Sequence, residues 1–215
     1  MARTFVVIDD HEAVLSGTVA VLQKEYPDAQ IITASGAKEA EEQIAGANPD
    51  AVVMDLSIPH TPKDSAQTET GLQLLRMLME IYPTLNIVVQ SAHVRSLVRI
   101  KPLMDLHEGG LTIADKGLPL KEMLKKVDWA LQGLMYTPRE MRVGLAIKPE
   151  WLKVLMLAFQ DGLQDKAIAE KMNISERTVR HYWTKVQDAL DVYPESGKNI
   201  RIQTEIRARE EGLID

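Results

Sequence analysis

The 215-residue chain contains no cysteine, so it can form neither disulfide bonds nor thiolate metal sites. No apolar run approaches the ~20 residues that span a bilayer, and no signal-peptide core follows the N-terminus. There is also no internal repeat and no low-complexity tract. Hydrophobic residues make up 45% and charged residues 26%, which is typical of a folded globular protein. We therefore expect a cytoplasmic protein with no membrane partner.

The formal net charge of −6 argues weakly against a nucleic-acid partner, because nucleic acids favour basic surfaces. The acidic excess is concentrated in the first part of the chain, however. The part after residue 147 is close to neutral and can still present a locally basic face. The charge of the whole chain therefore does not decide the class of partner.

The first part of the chain alternates short apolar runs with segments of helical spacing. The apolar runs predict five strands, at Thr4–Ile8, Ile31–Ile32, Ala51–Met54, Asn86–Gln90 and Leu111–Ala114. The segments between and after them predict helices, at Glu12–Glu25, Ala37–Ala45, Leu72–Ile81 and Leu120–Leu134. This alternation predicts an α/β fold with a five-stranded parallel, doubly wound (flavodoxin-like) sheet.

The pattern changes after Gly133, and everything beyond Pro149 is helical in character. The predicted helices are Glu150–Gln160, Asp165–Met172, Ser175–Leu190 and Ile200–Glu211. We therefore expect an α/β domain at residues 1–134, a linker at residues 135–146, and an all-α domain at residues 147–215.

Polar side chains stand at the ends of four predicted strands: Asp9 and Asp10, then Asp55, Ser91 and Lys116. The carboxyl ends of parallel strands share one edge of a sheet, so these groups should converge. Three close carboxylates repel one another and need a cation such as Mg²⁺. A carboxylate beside that metal can attack a phosphoryl group, whose oxygens an ammonium and a hydroxyl can hold. Taken singly, these residues are usually helix caps, turn residues or surface charges, but their combination in this order favours a phosphoryl-transfer site.

Residues 3–134 resemble the receiver domain of bacterial response regulators. The shared motifs are Val7-Ile8-Asp9-Asp10-His11, Val53-Met54-Asp55-Leu56, Ile58-Pro59, Gly71-Leu72, Ser91-Ala92-His93 and Asp115-Lys116-Gly117. The resemblance implies that Asp55 is the phosphoacceptor, Ser91 the switch hydroxyl and Lys116 the partner of the phosphoryl group. It also implies a Mg²⁺ site formed by Asp9, Asp10, Asp55 and the Ser57 carbonyl.

The chain departs from the receiver pattern in three places. The loop His60–Thr70 is about eight residues longer than usual and flanks the acceptor. Ile113 stands where the family often has an aromatic switch residue. Pro102 interrupts the helix expected after Ser91. These departures point to atypical signal output but leave every chemical group of the predicted pocket in place.

In the all-α part, Asp165–Met172 and Ser175–Leu190 have the lengths and the short connecting turn of a helix-turn-helix. Ser175 is a favourable N-cap for the second helix. A helix-turn-helix places its second helix in the major groove of DNA. The alternative is a plain helical bundle with a solvated polar face, since adjacent amphipathic helices are common.

The candidate DNA-contact residues lie at the start of the first of these helices and on the polar face of the second. They are Lys166, Ser175, Arg177, Thr178, Arg180, His181, Thr184 and Lys185. Arg180 and His181 suit base edges, whereas Arg177, Thr178 and Lys185 suit phosphates.

Residues 147–213 resemble the LuxR-type output domain of the NarL/FixJ family of response regulators. The shared motifs are Ile147-Lys148-Pro149-Glu150, Val154-Leu155, Asp161-Gly162-Leu163, Lys166-Ala167-Ile168-Ala169 and Ile174-Ser175-Glu176-Arg177-Thr178-Val179-Arg180-His181. Tyr136-Thr137-Pro138-Arg139-Glu140 also looks like the start of this domain, but it lies too far from Lys166. The resemblance implies dimer contacts in the last helix, at Ile200, Ile202, Ile206 or Arg207.

The leading hypothesis is a response regulator that is a transcription factor and not an enzyme. A sensor histidine kinase would phosphorylate Asp55 and so control homodimerisation and binding to double-stranded DNA. One alternative is a phosphohydrolase built on the same acidic cluster, although Ser57 stands where such enzymes need a second carboxylate. Another is a receiver-containing interaction module whose helical domain dimerises without DNA output.

Overall fold

The computed structural model describes residues 2–117, 119–138 and 147–215. The chain divides into two compact units, Met1–Val94 with Ile100–Arg139 and Arg95–Arg99 with Glu140–Asp215. Among the described residues, no helix has the length and apolarity needed to cross a membrane. Most of the predicted linker, residues 139–146, lies outside the described part of the chain.

The first unit is built on a parallel sheet with the strand order β2-β1-β3-β4-β5-β6. The strands are β1 Thr4–Ile8, β2 Gln30–Ala34, β3 Ala51–Met54, β4 Asn86–Ser91, β5 Leu111–Asp115 and β6 Met135–Tyr136. All four residues of β3 are buried, as expected for a central parallel strand covered on both faces. The predicted doubly wound α/β fold is confirmed.

Helices cover both faces of this sheet. They are α1 Glu12–Glu25, α2 Ala37–Ala47, α3 Thr68–Ile81, α4 Lys101–Met104 and α5 Leu120–Leu131. α1 packs against α5 on one face, over a core that includes Phe5, Val53 and Val127. α2 packs against α3 on the other.

The predicted count of five strands is wrong, because Met135–Tyr136 adds a short sixth strand. Leu111 and Thr112 of β5 pair with Met135 and Tyr136, and the Leu111 N–H donates to the Leu134 carbonyl at 3.1 Å. An edge strand exposes a row of unpaired backbone N–H and C=O groups. Met135–Tyr136 provides hydrogen-bond partners for such groups of β5. A strand of two residues is too short to show an alternation of apolar and polar residues. The sequence of this segment therefore indicates a linker.

Two helical segments also differ from expectation. The segment after β4 is a 3₁₀ helix at Val94–Ile100, followed by the single turn of α4 with Pro102 in its first turn. α5 ends at Leu131 rather than Leu134, and Gly133 then adopts a positive φ of 74°. Glycine reaches this left-handed region without steric cost, which suits it to the end of a helix.

The long loop after β3 is structured where it meets the rest of the unit. Ile58 and Gln67 form an antiparallel bridge, and α3 begins at Thr68, so the end of the predicted loop is helical. The Pro59 and His60 carbonyls accept the first N–H groups of α2, at 2.9 and 3.1 Å. The loop is thereby tied to α2 beside the strand end that carries Asp55.

Gly71 of α3 packs directly against the backbone that follows Asp55. A Cβ at this position would lie 2.0 Å from the Leu56 carbonyl oxygen, whereas a Cβ at Gly46 of α2 would meet nothing within 4 Å. We expect Gly71→Ala to lower the free energy of unfolding by about 1–3 kcal/mol, because the helix must move away from the strand end. The matched control Gly46→Ala should raise it by about 0.5–1 kcal/mol. Urea unfolding followed by circular dichroism checks both, and equal midpoints would contradict the prediction.

The described part of the second unit is helical. Its helices are α6 Pro149–Phe159, α7 Asp165–Met172, α8 Glu176–Ala189 and α9 Ile200–Glu210. They enclose a core that includes Leu155, Ile168, Val179, Trp183 and Val186. Trp183 is buried in this core, whereas Tyr182 is only partly buried against it.

Candidate functional site

The carboxyl ends of four strands of the first unit meet at one edge of the sheet. Ile8 is in register with Met54, Met54 with Val89, and Ser91 with Asp115. Side chains that directly follow β1, β3 and β5 are therefore brought into one cleft. Asp9, Asp55 and Lys116 are those residues.

Lys116 bridges two buried carboxylates. Its Nζ lies 2.6 Å from Asp9 Oδ2 and 2.7 Å from Asp55 Oδ2. Asp9 and Asp55 are only 4% and 3% exposed. Burial of two carboxylates is unfavourable unless a cation compensates them, and the ammonium provides part of that compensation.

The second oxygen of each carboxylate accepts a backbone N–H. Asp55 Oδ1 accepts from Leu56 at 2.7 Å, and Asp9 Oδ1 accepts from His11 at 2.9 Å. In each carboxylate, therefore, one oxygen accepts a backbone N–H and the other contacts Lys116. This arrangement holds both side chains in defined orientations.

Burial by itself lowers the pKa of Lys116, but hydrogen bonds and charges from Asp55 and Asp9 outweigh this effect. The net pKa lies above the ordinary lysine value. Lys116 is therefore fully protonated at neutral pH and acts as a fixed positive charge.

Asp10 lies at the same edge and is linked to His11. Its Oδ1 is 2.8 Å from His11 Nδ1, and the potential ligand atoms of Asp9, Asp10 and His11 all lie within 4.8 Å of one another. His11 belongs to the motif at the end of β1, but the motif alone assigns it no role. Its position directly after two acidic residues was the available signal.

Ser91 is fully buried, and its Oγ accepts the His93 N–H at 3.1 Å. The link from Ser91 to Lys116 runs through the backbone, where the Lys116 N–H donates to the Ser91 carbonyl at 3.3 Å. Ser57 is half-buried, two residues after Asp55. Side-chain contacts therefore join Asp9, Asp55 and Lys116. Ser91 and Ser57 are instead positioned by the backbone.

In the second unit, α7 and α8 are joined by a tight turn. Asn173 ends α7 in the left-handed region with a φ of 55°, and Ser175 caps α8 by accepting the Thr178 N–H at 3.1 Å. Val179, Trp183 and Val186 are the buried residues of α8, and its exposed residues are polar or charged.

The candidate DNA-contact residues differ in accessibility. Those exposed are Lys166, Ser175, Arg177, Arg180, His181 and Thr184, and those half-buried are Thr178 and Lys185.

Several of these side chains are engaged within α8. Arg180 lies 3.5 Å from Glu176, and Lys185 lies 3.7 Å from Asp188. Exposed ion pairs of this kind contribute little to stability, so both cations can exchange partners at small cost.

Comparison with known proteins agrees with this two-unit arrangement. The family model of the response regulator receiver domain matches residues 5–128, and that of the bacterial regulatory proteins of the luxR family matches residues 152–193.

Relatives align over most of the chain. The DNA-binding transcriptional activator DevR/DosR of Mycobacterium tuberculosis is 24% identical over 198 residues, which cover 86% of this chain and 87% of that protein. The oxygen regulatory protein NreC of Staphylococcus haemolyticus is 23% identical over 207 residues, covering 87% and 90%. RcsB of Salmonella enterica serovar Typhimurium, solved on a promoter with the phosphomimetic BeF3−, matches with a TM-score of 0.60 at 18% identity over 100% of both chains. At that identity, the structural match shows the fold alone.

The chain belongs to the response regulators, with a receiver domain followed by a LuxR-type DNA-binding domain, and it is a transcriptional regulator rather than an enzyme.

Proposed function

We propose that Asp55 accepts a phosphoryl group from a phosphohistidine of a sensor kinase, and that this modification controls dimerisation and DNA binding. The observation that carries the proposal is the contact of Lys116 Nζ with both Asp9 and Asp55. A buried carboxylate beside a charged ammonium at a sheet edge is suited to phosphoryl transfer, because the ammonium offsets charge on the incoming oxygens.

The transfer is a simple exchange of bonds. An Asp55 carboxylate oxygen attacks the phosphorus, the P–O bond forms as the P–N bond breaks, and the leaving imidazole takes a proton from solvent water. Lys116 then moves from the Asp55 carboxylate to a phosphoryl oxygen, and the Ser91 hydroxyl turns towards another. This exchange of partners moves the ends of β4 and β5.

The acidic groups at this edge of the sheet suit a divalent cation, and the potential ligand atoms of Asp9, Asp10 and His11 lie within 4.8 Å of one another. Asp9, Asp10 and Asp55 contribute three negative charges against the one positive charge of Lys116, and carboxylate oxygens are the ligands that Mg²⁺ prefers. In the proposed site, these three carboxylates and the Ser57 carbonyl hold the metal. When bound, Mg²⁺ would neutralise charge on the phosphoryl oxygens.

In this proposal, α8 binds DNA. It belongs to the domain at residues 147–215, which the linker at residues 135–146 joins to the receiver domain at residues 1–134. Arg180 and His181 read base edges, and Lys166, Arg177, Thr178 and Lys185 contact phosphates, with Ser175 and Thr184 at the margins of the interface. On α9, Ile202 and Ile206 are 55% and 54% exposed, which suits them to a dimer contact beside Arg207.

DNA capture with and without a phosphoryl mimic tests this function. The full chain is incubated with fragmented genomic DNA and Mg²⁺, in the presence and absence of beryllofluoride, and the retained fragments are sequenced. We expect the mimic to increase retention at a limited set of fragments that share paired half-sites. Asp55→Asn is the control and should not respond. Retention that is identical with and without the mimic would contradict the proposed switch.

A further inference from the structure

Three side chains from three helices of the DNA-binding domain form a closed contact. Arg201 of α9 places its guanidinium 3.6 Å from the centroid of the Trp183 ring of α8. Its Nη2 donates to both carboxylate oxygens of Asp165 of α7, at 3.1 and 2.9 Å. Trp183 Nε1 donates to the same carboxylate at 3.0 Å.

These contacts hold Arg201 without using all of its donors. Arginine has five N–H groups, and here only those of Nη2 have a hydrogen-bond partner among the described residues. The side chain is 37% exposed, and Nε and Nη1 have no hydrogen-bond partner among the described residues. The ring and the carboxylate restrict its rotamers, so little side-chain entropy would remain to be lost on binding an anion.

The position of Arg201 relative to α7 and α8 indicates which anion that is. Asp165 lies in the first turn of α7 beside Lys166, and Trp183 directly precedes Thr184 on α8. In a helix-turn-helix, the first helix crosses the DNA backbone while the second enters the major groove. A cation that contacts the beginning of the first helix, beside Lys166, therefore lies near the phosphates at the border of the groove.

The charges point the same way. Without Arg201, Asp165 would present a bare carboxylate next to Lys166 and repel a phosphate. With Arg201, that carboxylate is neutralised, and the guanidinium keeps two donor nitrogens. We propose that Arg201 is a phosphate-contacting residue of the DNA interface, held in place by Asp165 and Trp183. This inference rests on the proposed binding of DNA by α8.

Salt dependence of DNA affinity tests the inference. The full chain, treated with Mg²⁺ and beryllofluoride, is titrated against a fluorescent mixed-sequence duplex at several salt concentrations. We expect Arg201→Ala to weaken binding about tenfold, as for the loss of one charge-assisted hydrogen bond. The slope of log affinity against log salt should fall by about 0.9, because one fewer counterion is released.

Arg209→Ala is the matched control. Arg209 lies on the same helix and pairs with Glu205 at 3.0 Å, so its removal takes away the same charge without touching α7 or α8. Its salt slope should equal that of the wild type. Arg201→Gln is a second variant that keeps a planar N–H donor over Trp183 and towards Asp165 but lacks the charge. It should melt at the wild-type temperature and still show the reduced slope.

The outcomes separate this inference from the function on which it rests. A wild-type chain that binds no duplex would overturn both. A wild-type chain that binds, together with Arg201 variants whose salt slopes match it, would overturn the inference alone. In that case Arg201 stabilises the packing of the helices, and any loss of affinity follows a lower melting temperature.

Discussion

Asp55→Asn should abolish phosphorylation of the chain. With radiolabelled acetyl phosphate and Mg²⁺, we expect stoichiometric label on the wild type and none above background on the variant. The reason is chemical, because the lone pair of an amide nitrogen is delocalised and is a poor nucleophile, whereas a carboxylate oxygen attacks phosphorus. The wild-type label should be released by hydroxylamine, as an acyl phosphate must be.

Asp50→Asn provides the matched control for this experiment. Asp50 is exposed and precedes β3 at the opposite edge of the sheet, where its Oδ2 accepts the Thr4 N–H at 2.7 Å. The same substitution there should leave labelling unchanged. Normal stoichiometry in Asp55→Asn would defeat the assignment of the acceptor, and loss of label in both variants would point to a general effect on the receiver.

Replacement of both Arg180 and Lys185 by alanine should remove sequence-specific DNA retention. A bidentate contact of arginine with a base is worth about 1–3 kcal/mol, and with a lost phosphate contact we expect roughly a hundredfold weaker binding. Both side chains are released from α8 pairs that cost little to break, at 3.5 Å to Glu176 and 3.7 Å to Asp188. Fluorescence anisotropy with a fragment captured by the wild type measures the effect.

Lys153→Ala combined with Arg209→Ala removes the same two charges from α6 and α9. It should cost little affinity, since neither residue lies on α8. Unchanged retention in the Arg180 and Lys185 variant would favour a helical domain that only dimerises. Equal losses in the two double variants would mean that net charge, and not the face of α8, governs binding.

The sequence predicted the elements whose formation depends on local patterns. The buried strands that end at Ile8 and Met54 are continuous apolar runs, and the second helix of the helix-turn-helix starts at a serine cap with helical spacing behind it. Parallel strands align their carboxyl ends, so the sequence predicts that Asp9 and Asp55 lie close together.

Other features have no local signature. Met135–Tyr136 forms a strand only because the edge of β5 offers unpaired backbone groups. The start of α3 at Thr68 follows from the bridge between Ile58 and Gln67, which closes the loop. Arg201 and Asp165 are 36 residues apart, and nothing in their spacing indicates that they meet.

By itself, then, the sequence determined the two-domain class, the strand-end carboxylates and the polar face of α8, because periodicity and strand direction are local properties of a chain. The tertiary structure alone decided that one lysine ammonium bridges Asp9 and Asp55, and that Trp183 and Asp165 hold Arg201. Those contacts join residues distant along the chain, and only the packing of whole elements sets their distances.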